Sequence, residues 1–278
     1  MVTKKCFISV KRTLCRPFEC RKHFLALLGI IASMYKKLMR FLRSDTLPNA
    51  EMRTDLHSHL IPGIDDGAKN IDESLLLVRS LHSLGYSRFI TTPHIMPHRF
   101  PNTADTILRG LDALREALLA AAIPVTVDAA AEYYLDEQFL SLIRQKALLT
   151  FGENEVLFEM SYVIQPLDLD TIIFELQSSG YTPVLAHPER YLFLHRDMEG
   201  YARLKERGVR FQVNINSLGG YYSKPVQKAA KAIMAEGWID YLGSDTHHQR
   251  HIDALTRTLR SNVIARVKAE NTLLNDTL

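Results

Sequence analysis

The chain has 278 residues, 46% of them apolar and 23% charged, which fits an ordinary soluble globular protein and excludes disorder, collagen and a membrane bundle. The net charge of +3 hides an imbalance: residues 1–50 hold 11 Lys and Arg against Glu19 and Asp45, a leader of +9, while the remainder carries 23 basic and 29 acidic groups, or −6. All three cysteines, Cys6, Cys15 and Cys20, lie in the leader, so the body has neither disulfides nor a nucleophilic thiol.

The leader's longest apolar run, Phe24 to Tyr35, is 12 residues, short of the roughly 20 that span a bilayer. Basic residues on both sides of it fit a cleaved signal poorly. The leader matches a basic amphipathic helix from about 24 to 43 lying on a membrane surface, a partly disordered extension, or an over-long start whose true beginning is Met34, Met39 or Met52. Cys15 and Arg21 have the C-x5-R spacing of cysteine-dependent tyrosine phosphatases. Pro17 has no N–H to turn on a phosphate, however, and Glu19 repels one, so this site is rejected.

From Met52 onward no low-complexity stretch or flexible linker interrupts the chain, so a single domain is expected over 52–270 behind a basic extension over 1–50. It begins with a strand at Arg53–Ser58, carrying His57 and His59, and a turn holding Asp65 and Asp66. Helices are expected near 71–84, 104–121, 136–146, 167–179, 199–207, 224–236 and 252–268, from apolar spacing such as Leu108, Leu111, Leu114 and Leu118. Between them fall strands at Val125–Ala131 and Val156–Met160. Four further units begin at Gly85, Gly180, Gly208 and Gly237, where a helix ends in Gly, a β-prone run follows, and a polar residue closes it: His94, His187, Asn214 and Asp245. Seven strands alternating with seven helices imply a parallel sheet. Because polar candidates end nearly every strand and must converge, closure into a distorted, TIM-like (β/α)7 barrel is expected.

The chemistry gathers at those strand ends. His57 and His59, two residues apart on a strand, face the same way, as two ligands of one metal should. His94, Glu132, Glu159, His187, Asp245 and His247 also sit at strand ends, with Asp65 or Asp66 returning from the turn. Taken singly each has a bland alternative: Glu159 as a paired structural carboxylate, Arg190 in a salt bridge to Glu189 or a neighbour. Nine metal-capable residues ending successive strands by accident is far less plausible. A nitrogen and oxygen donor set rich in imidazole leaves Mn²⁺, Fe²⁺ and Zn²⁺ open and disfavours Mg²⁺ and Ca²⁺. Clustered divalent ions suit phosphate-ester hydrolysis, with Arg190 supplying planar donors to the phosphoryl oxygens. His23 and His82 are expected to be structural, and His98, His195, His248 and His251 to be loop residues without an assigned role.

The stretches DLHSHLIPGIDDGAKN, TTPHIMP, AAEYYLD, LFEMS, LAHPERY and GSDTHH run in that order between Met52 and about His251. They resemble the PHP (polymerase and histidinol phosphatase) superfamily, most closely the bacterial metal-dependent tyrosine-protein phosphatases that act on kinases controlling capsular or exopolysaccharide synthesis. The resemblance implies the (β/α)7 PHP fold and two or three divalent ions, Mn²⁺ foremost with Fe²⁺ or Zn²⁺ as alternatives. It implies the ligands His57, His59, Asp66, His94, Glu132, Glu159, His187, Asp245 and His247, and Arg190 as catalytic arginine. The choice of Asp66 over Asp65 comes from the resemblance alone. The activity implied is that of a metal-dependent phosphoric monoester hydrolase, a protein-tyrosine phosphatase in which a metal-bridged hydroxide attacks phosphorus in line. The expected partner is a phosphotyrosine protein, a bacterial tyrosine kinase tail, with no nucleic acid. The expected location is cytoplasmic, with the leader as a candidate contact to the inner membrane. A small-molecule phosphomonoesterase such as a histidinol-phosphate phosphatase is the alternative, and an inactive phosphotyrosine-binding regulator a weaker one. The leader departs from the family pattern, although Met34 to Leu42 looks like the short basic starts of some relatives. Since the body is net negative, bound metals and local arginines such as Arg99 and Arg250 must attract an anionic substrate.

Overall fold

A computed structural model of the chain describes residues 48–278. All but the end of the basic leader, and with it Cys15 to Arg21, lies outside the described residues. Among the described residues, no helix is long and apolar enough to cross a membrane.

The fold is α/β, and every strand pairing is parallel. In chain order the strands are β1 (Thr54–Leu56), β2 (Arg88–Thr91), β3 (His94–Ile95), β4 (Thr126–Ala129), β5 (Glu132–Tyr134), β6 (Glu155–Glu159), β7 (Thr182–Ala186), β8 (Arg210–Asn214) and β9 (Tyr241–Gly243). They form two sheets, of order β1-β2-β4 and β3-β5-β6-β7-β8-β9. Seven continuous strands were expected from the sequence, and two of these are broken. Pro93 has no N–H to continue the ladder, so β2 stops before it and β3 resumes after it. The neighbouring strand breaks alongside, with Ala130 N–H donating to Thr91 and Glu132 N–H to Pro93.

Hydrogen bonds also join the segments just past the first and last strands. Asp245 N–H donates to the His57 carbonyl at 2.8 Å and His59 N–H to the Thr246 carbonyl at 2.9 Å. Gly243 permits this approach, because a Cβ there would overlap the Leu56 carbonyl and the Gln212 side chain. Leu56, Ile90, Leu157, Val184, Ala186 and Tyr241, drawn from both sheets, pack together in one small buried cluster. A larger core lies between strands and helices, around Phe89, Phe158, Leu185, Phe211 and Leu242.

The helices are α1 (Ile71–Ser83), α2 (Ala104–Ala120), α3 (Glu137–Gln145), α4 (Leu169–Ser178), α5 (Met198–Glu206), α6 (Ile215–Gly219), α7 (Lys224–Ala235), α8 (Gln249–Leu259) and α9 (Val263–Glu270). Asn70, Thr103, Asp136, Asp197 and Ser223 accept side-chain cap bonds at five N-termini, which fixes where those helices start. The single helix expected over 252–268 is two. Ser261 Oγ donates to the Thr258 carbonyl and accepts from Val263 N–H, and such local bonds compete with a continuous helix. His251, expected in a loop, is buried on α8.

Candidate metal centre

In parallel strands every C-terminal end faces the same way, and here those ends deliver most of the candidate residues to one place, while His94 and Glu132, expected at strand ends, open the short strands that resume beyond β2 and β4. His57 and His59 follow β1, His94 opens β3, Glu132 opens β5, Glu159 ends β6, His187 follows β7, and Asp245 and His247 follow β9. Glu132 stands at the centre. Its Oε2 lies 3.1 Å from His57 Nε2, 3.5 Å from His59 Nε2 and 3.2 Å from His94 Nδ1, and its Oε1 lies 3.0 Å from His187 Nε2. Glu159 Oε1 approaches His94 Nδ1 at 3.1 Å. Asp245 Oδ1 faces His57, His59 and His247 at 3.4, 3.7 and 3.3 Å.

Of the two neighbouring acids in the turn, Asp66 joins this cluster, 3.5 Å from His94 Nε2 and 3.4 Å from His247 Nε2. Asp65 instead accepts from His59 Nδ1 at 2.7 Å and from Gly67 N–H at 2.9 Å. All nine residues expected as ligands fall into four overlapping groups whose donor atoms lie within 4.8 Å of one another. His57, His59, His94 and Glu132 each belong to two groups, so neighbouring ions would share ligands.

The donor set fits divalent metal. His59 Nε2 and His94 Nδ1 are buried with no hydrogen-bond partner, although carboxylate oxygens lie close to both. Leaving such atoms unpaired away from water is unfavourable unless something else binds them. Outer partners fix the rings as metal-binding imidazoles require. Asp65 holds His59, and Gln212 Oε1 accepts from His57 Nδ1 at 2.6 Å. Gln212 donates to Asn214, and Asn214 to Asp245 Oδ2 at 2.6 Å, so one chain of bonds ties two expected ligands together. His57, His187 and Asp245 have positive φ of 78°, 36° and 48°. Non-glycine residues rarely adopt this backbone, and its clustering at one site marks strain held for function.

Charge balance shows what an ion would displace. Burial pushes the His57 pKa down, but Glu132 and Asp245 outweigh it and lift the value to about 9. At His94, Glu132 and Glu159 likewise overcome burial, giving about 10. His59 is pushed down to about 4 by burial and by His247. Metal binds only deprotonated imidazole, so an ion entering at His57 or His94 must release their protons, and affinity should weaken up to about tenfold per proton for each unit of falling pH. The Kd for Mn²⁺ is therefore expected to keep improving between pH 7 and pH 9, with proton release visible by calorimetry in two buffers. Ordinary histidines would give a flat profile above pH 7, and that outcome would contradict the charge balance.

Arg190 ends the short 3₁₀ turn Pro188–Arg190. Its Nη1 donates to Asp245 Oδ2 at 3.1 Å, not to Glu189. The guanidinium lies 4.5 Å from the ring centre of Tyr162 and 4.6 Å from that of Tyr222. Cation–π contacts of this kind contribute about 0.5–2 kcal/mol each and hold a planar cation in one orientation. The cluster opens into a cleft of about 680 Å³ that reaches the surface past Arg99, Val163 and His248. Arg99, expected to help attract substrate, is paired with Asp66 at 3.1 Å.

Sequence reasoning missed Gln212, Tyr162 and Tyr222, read Asn214 only as a strand-end polar residue able to bind metal or phosphate, and left Asp65 as a mere alternative to Asp66. Gln212 and Asn214 did carry a signal: two amides, two residues apart, alternating with the apolar Phe211 and Val213 in one strand.

Three comparisons place the chain among known proteins. The family described as "Capsular polysaccharide synthesis, CpsB/CapC" matches residues 53–269. Tyrosine-protein phosphatase YwqE of Bacillus subtilis is 26% identical over 195 residues, covering 70% of this chain and 77% of that protein. Tyrosine-protein phosphatase CpsB of Streptococcus agalactiae is 25% identical over 200 residues, covering 70% and 82%. Among solved structures, one from a study of YwqE from Bacillus subtilis and CpsB from Streptococcus pneumoniae, described as metal-dependent tyrosine phosphatases, matches with a TM-score of 0.69 at 24% identity. It covers 78% of this chain and 91% of its own, a likeness of fold.

Proposed function

The chain belongs to the CpsB/CapC family of capsular polysaccharide synthesis, and from that membership and the geometry of the cleft we propose that it is a metal-dependent protein-tyrosine phosphatase. One observation carries the proposal: Arg190, clamped between Tyr162 and Tyr222, faces the same cleft as the nine clustered imidazoles and carboxylates. His57, His59, Asp66, His94, Glu132, Glu159, His187, Asp245 and His247 would hold two or three divalent ions, with Mn²⁺ suited to this donor set. When bound, such ions lower the pKa of water and set positive charge against phosphoryl oxygens.

The chain's own residues do the rest. Arg190 offers planar donors to the equatorial oxygens of the phosphoryl group. Tyr162 and Tyr222 keep that plane fixed, and Asp245 holds one of its edges. The departing group is a phenolate whose parent pKa is about 10, so it needs less proton donation than an alkoxide would.

The residues from 52 to 270 form the phosphatase domain in this reading. The hydrogen bonds between the segments that follow β1 and β9 support closure of the two sheets into the distorted (β/α)7 barrel. The substrate would be a phosphotyrosine protein, a kinase tail controlling capsular or exopolysaccharide synthesis, which puts the enzyme in the cytoplasm. The full chain loaded with Mn²⁺, given a phosphotyrosine peptide and histidinol phosphate side by side, should favour the peptide by about tenfold or more in kcat/KM, the scale of one lost set of pocket contacts. Preference for histidinol phosphate would replace the proposal with the small-molecule alternative.

A further inference from the structure

A second cleft, of about 600 Å³, lies where α6, α7, α8 and the start of α9 meet, with Lys231, Arg257 and Arg266 around it. The body is net negative, yet no Asp or Glu lines this cleft. Lys231 and Arg257 are exposed, and among the described residues neither is in an ion pair. Arg266 meets only Glu270, at 3.4 Å. Cations left without counter-charges around a concavity focus positive potential there and draw in anions.

The two clefts adjoin. Tyr221 lines the basic one, while Tyr222 lines the metal cleft and covers Arg190. The two rings are 5.1 Å apart, and Tyr221 also lies 5.3 Å from His251 of the metal cleft. A peptide whose phosphorylated side chain reaches Arg190 can therefore pass over Tyr221 into the basic cleft.

We propose that this cleft is an exosite for acidic side chains flanking the phosphotyrosine of a protein substrate; the proposal rests on the phosphatase reading above. Lys231 and Arg257 would pair with Asp or Glu of the substrate, and Arg266 would exchange Glu270 for a carboxylate of the peptide. The exosite supplies the attraction that Arg99, already paired with Asp66, does not.

The test uses the full chain loaded with Mn²⁺ and the double variant Lys231→Glu/Arg257→Glu, with Lys231→Ala/Arg257→Ala as a milder second pair. Substrates are a phosphotyrosine peptide with an Asp/Glu-rich flank, the same peptide with a Gln/Ser flank, and para-nitrophenyl phosphate. Charge reversal should raise KM for the acidic peptide about tenfold, the scale of two exposed ion pairs, and leave kcat and both other substrates unchanged. Fluorescence anisotropy of the unphosphorylated acidic peptide should show binding to the unaltered protein that weakens in 0.5 M NaCl, where the screening length is about 4 Å, and that disappears in the double variant. Equal loss on all three substrates, no loss on any, or binding only to anionic lipid vesicles would overturn the exosite. A chain that hydrolyses none of the three substrates while still binding the acidic peptide would overturn the phosphatase reading instead.

Discussion

Replacing Arg190 by alanine is expected to lower kcat for a phosphotyrosine peptide by about 10²–10³-fold, the scale of losing one preorganised donor set at a transition state. Metal content should not change. Asp245 loses one donor, Arg190 Nη1, but keeps Asn214 at 2.6 Å and Tyr222 at 3.2 Å, so its carboxylate stays in place. Arg190→Lys should recover little, because an ammonium cannot present two planar donors to the phosphoryl group. Steady-state kinetics and metal analysis on the same preparations separate the outcomes. A raised KM with unchanged kcat would mean that Arg190 binds substrate and transition state alike.

The second large effect concerns Glu132. Among the described residues it is the only carboxylate within 3.5 Å of four imidazoles, those of His57, His59, His94 and His187. Glu132→Gln keeps the shape and removes the charge. At least one ion per chain should be lost and kcat should fall by about 10³-fold or more, since charge stabilisation and water activation fail together. The metal-free variant should also be less stable by about 3–5 kcal/mol at pH 7, because His57 and His94 lose the buried counter-charge that favours their protonated forms. The sign follows from the raised pKa values: the stabilisation is present while those rings are protonated and disappears as pH rises through about 9 to 10. Glu159→Gln should do less, as Glu159 approaches His94 at 3.1 Å but His187 only at 4.0 Å. Native mass spectrometry for metal count and thermal melts with and without chelator would check both variants.

What could be read from the sequence was whatever depends on local spacing. The HxH pair just past β1, the polar residue expected to close each strand and the glycine ending the preceding helix are short-range patterns, and they led to eight of the nine clustered residues and to Arg190, while the choice of Asp66 came from the family resemblance. Long-range geometry was not written there. Tyr162 and Tyr222 come from loops 60 positions apart, and the fold brings both rings against the guanidinium of Arg190. Asp65 and Asp66 are identical in type and adjacent, and only the backbone path of the turn separates the one that orients His59 from the one that faces His94 and His247. The broken strands had a visible cause in Pro93, but a strand can carry proline at an edge or a bulge, so the residue alone did not decide between one strand and two. The left-handed backbone at His57, His187 and Asp245 had no sequence signal, since histidine and aspartate there look like ordinary strand-end residues.

The most direct test of the central claim is hydrolysis of a phosphotyrosine peptide by the purified full chain after dialysis against chelator, and again after reloading with Mn²⁺. Activity should vanish on stripping, return on reloading, and be indifferent to Cys15→Ser. Full turnover by the metal-free protein, or loss of turnover with Cys15→Ser, would contradict a phosphatase that works through the nine-residue cluster and Arg190.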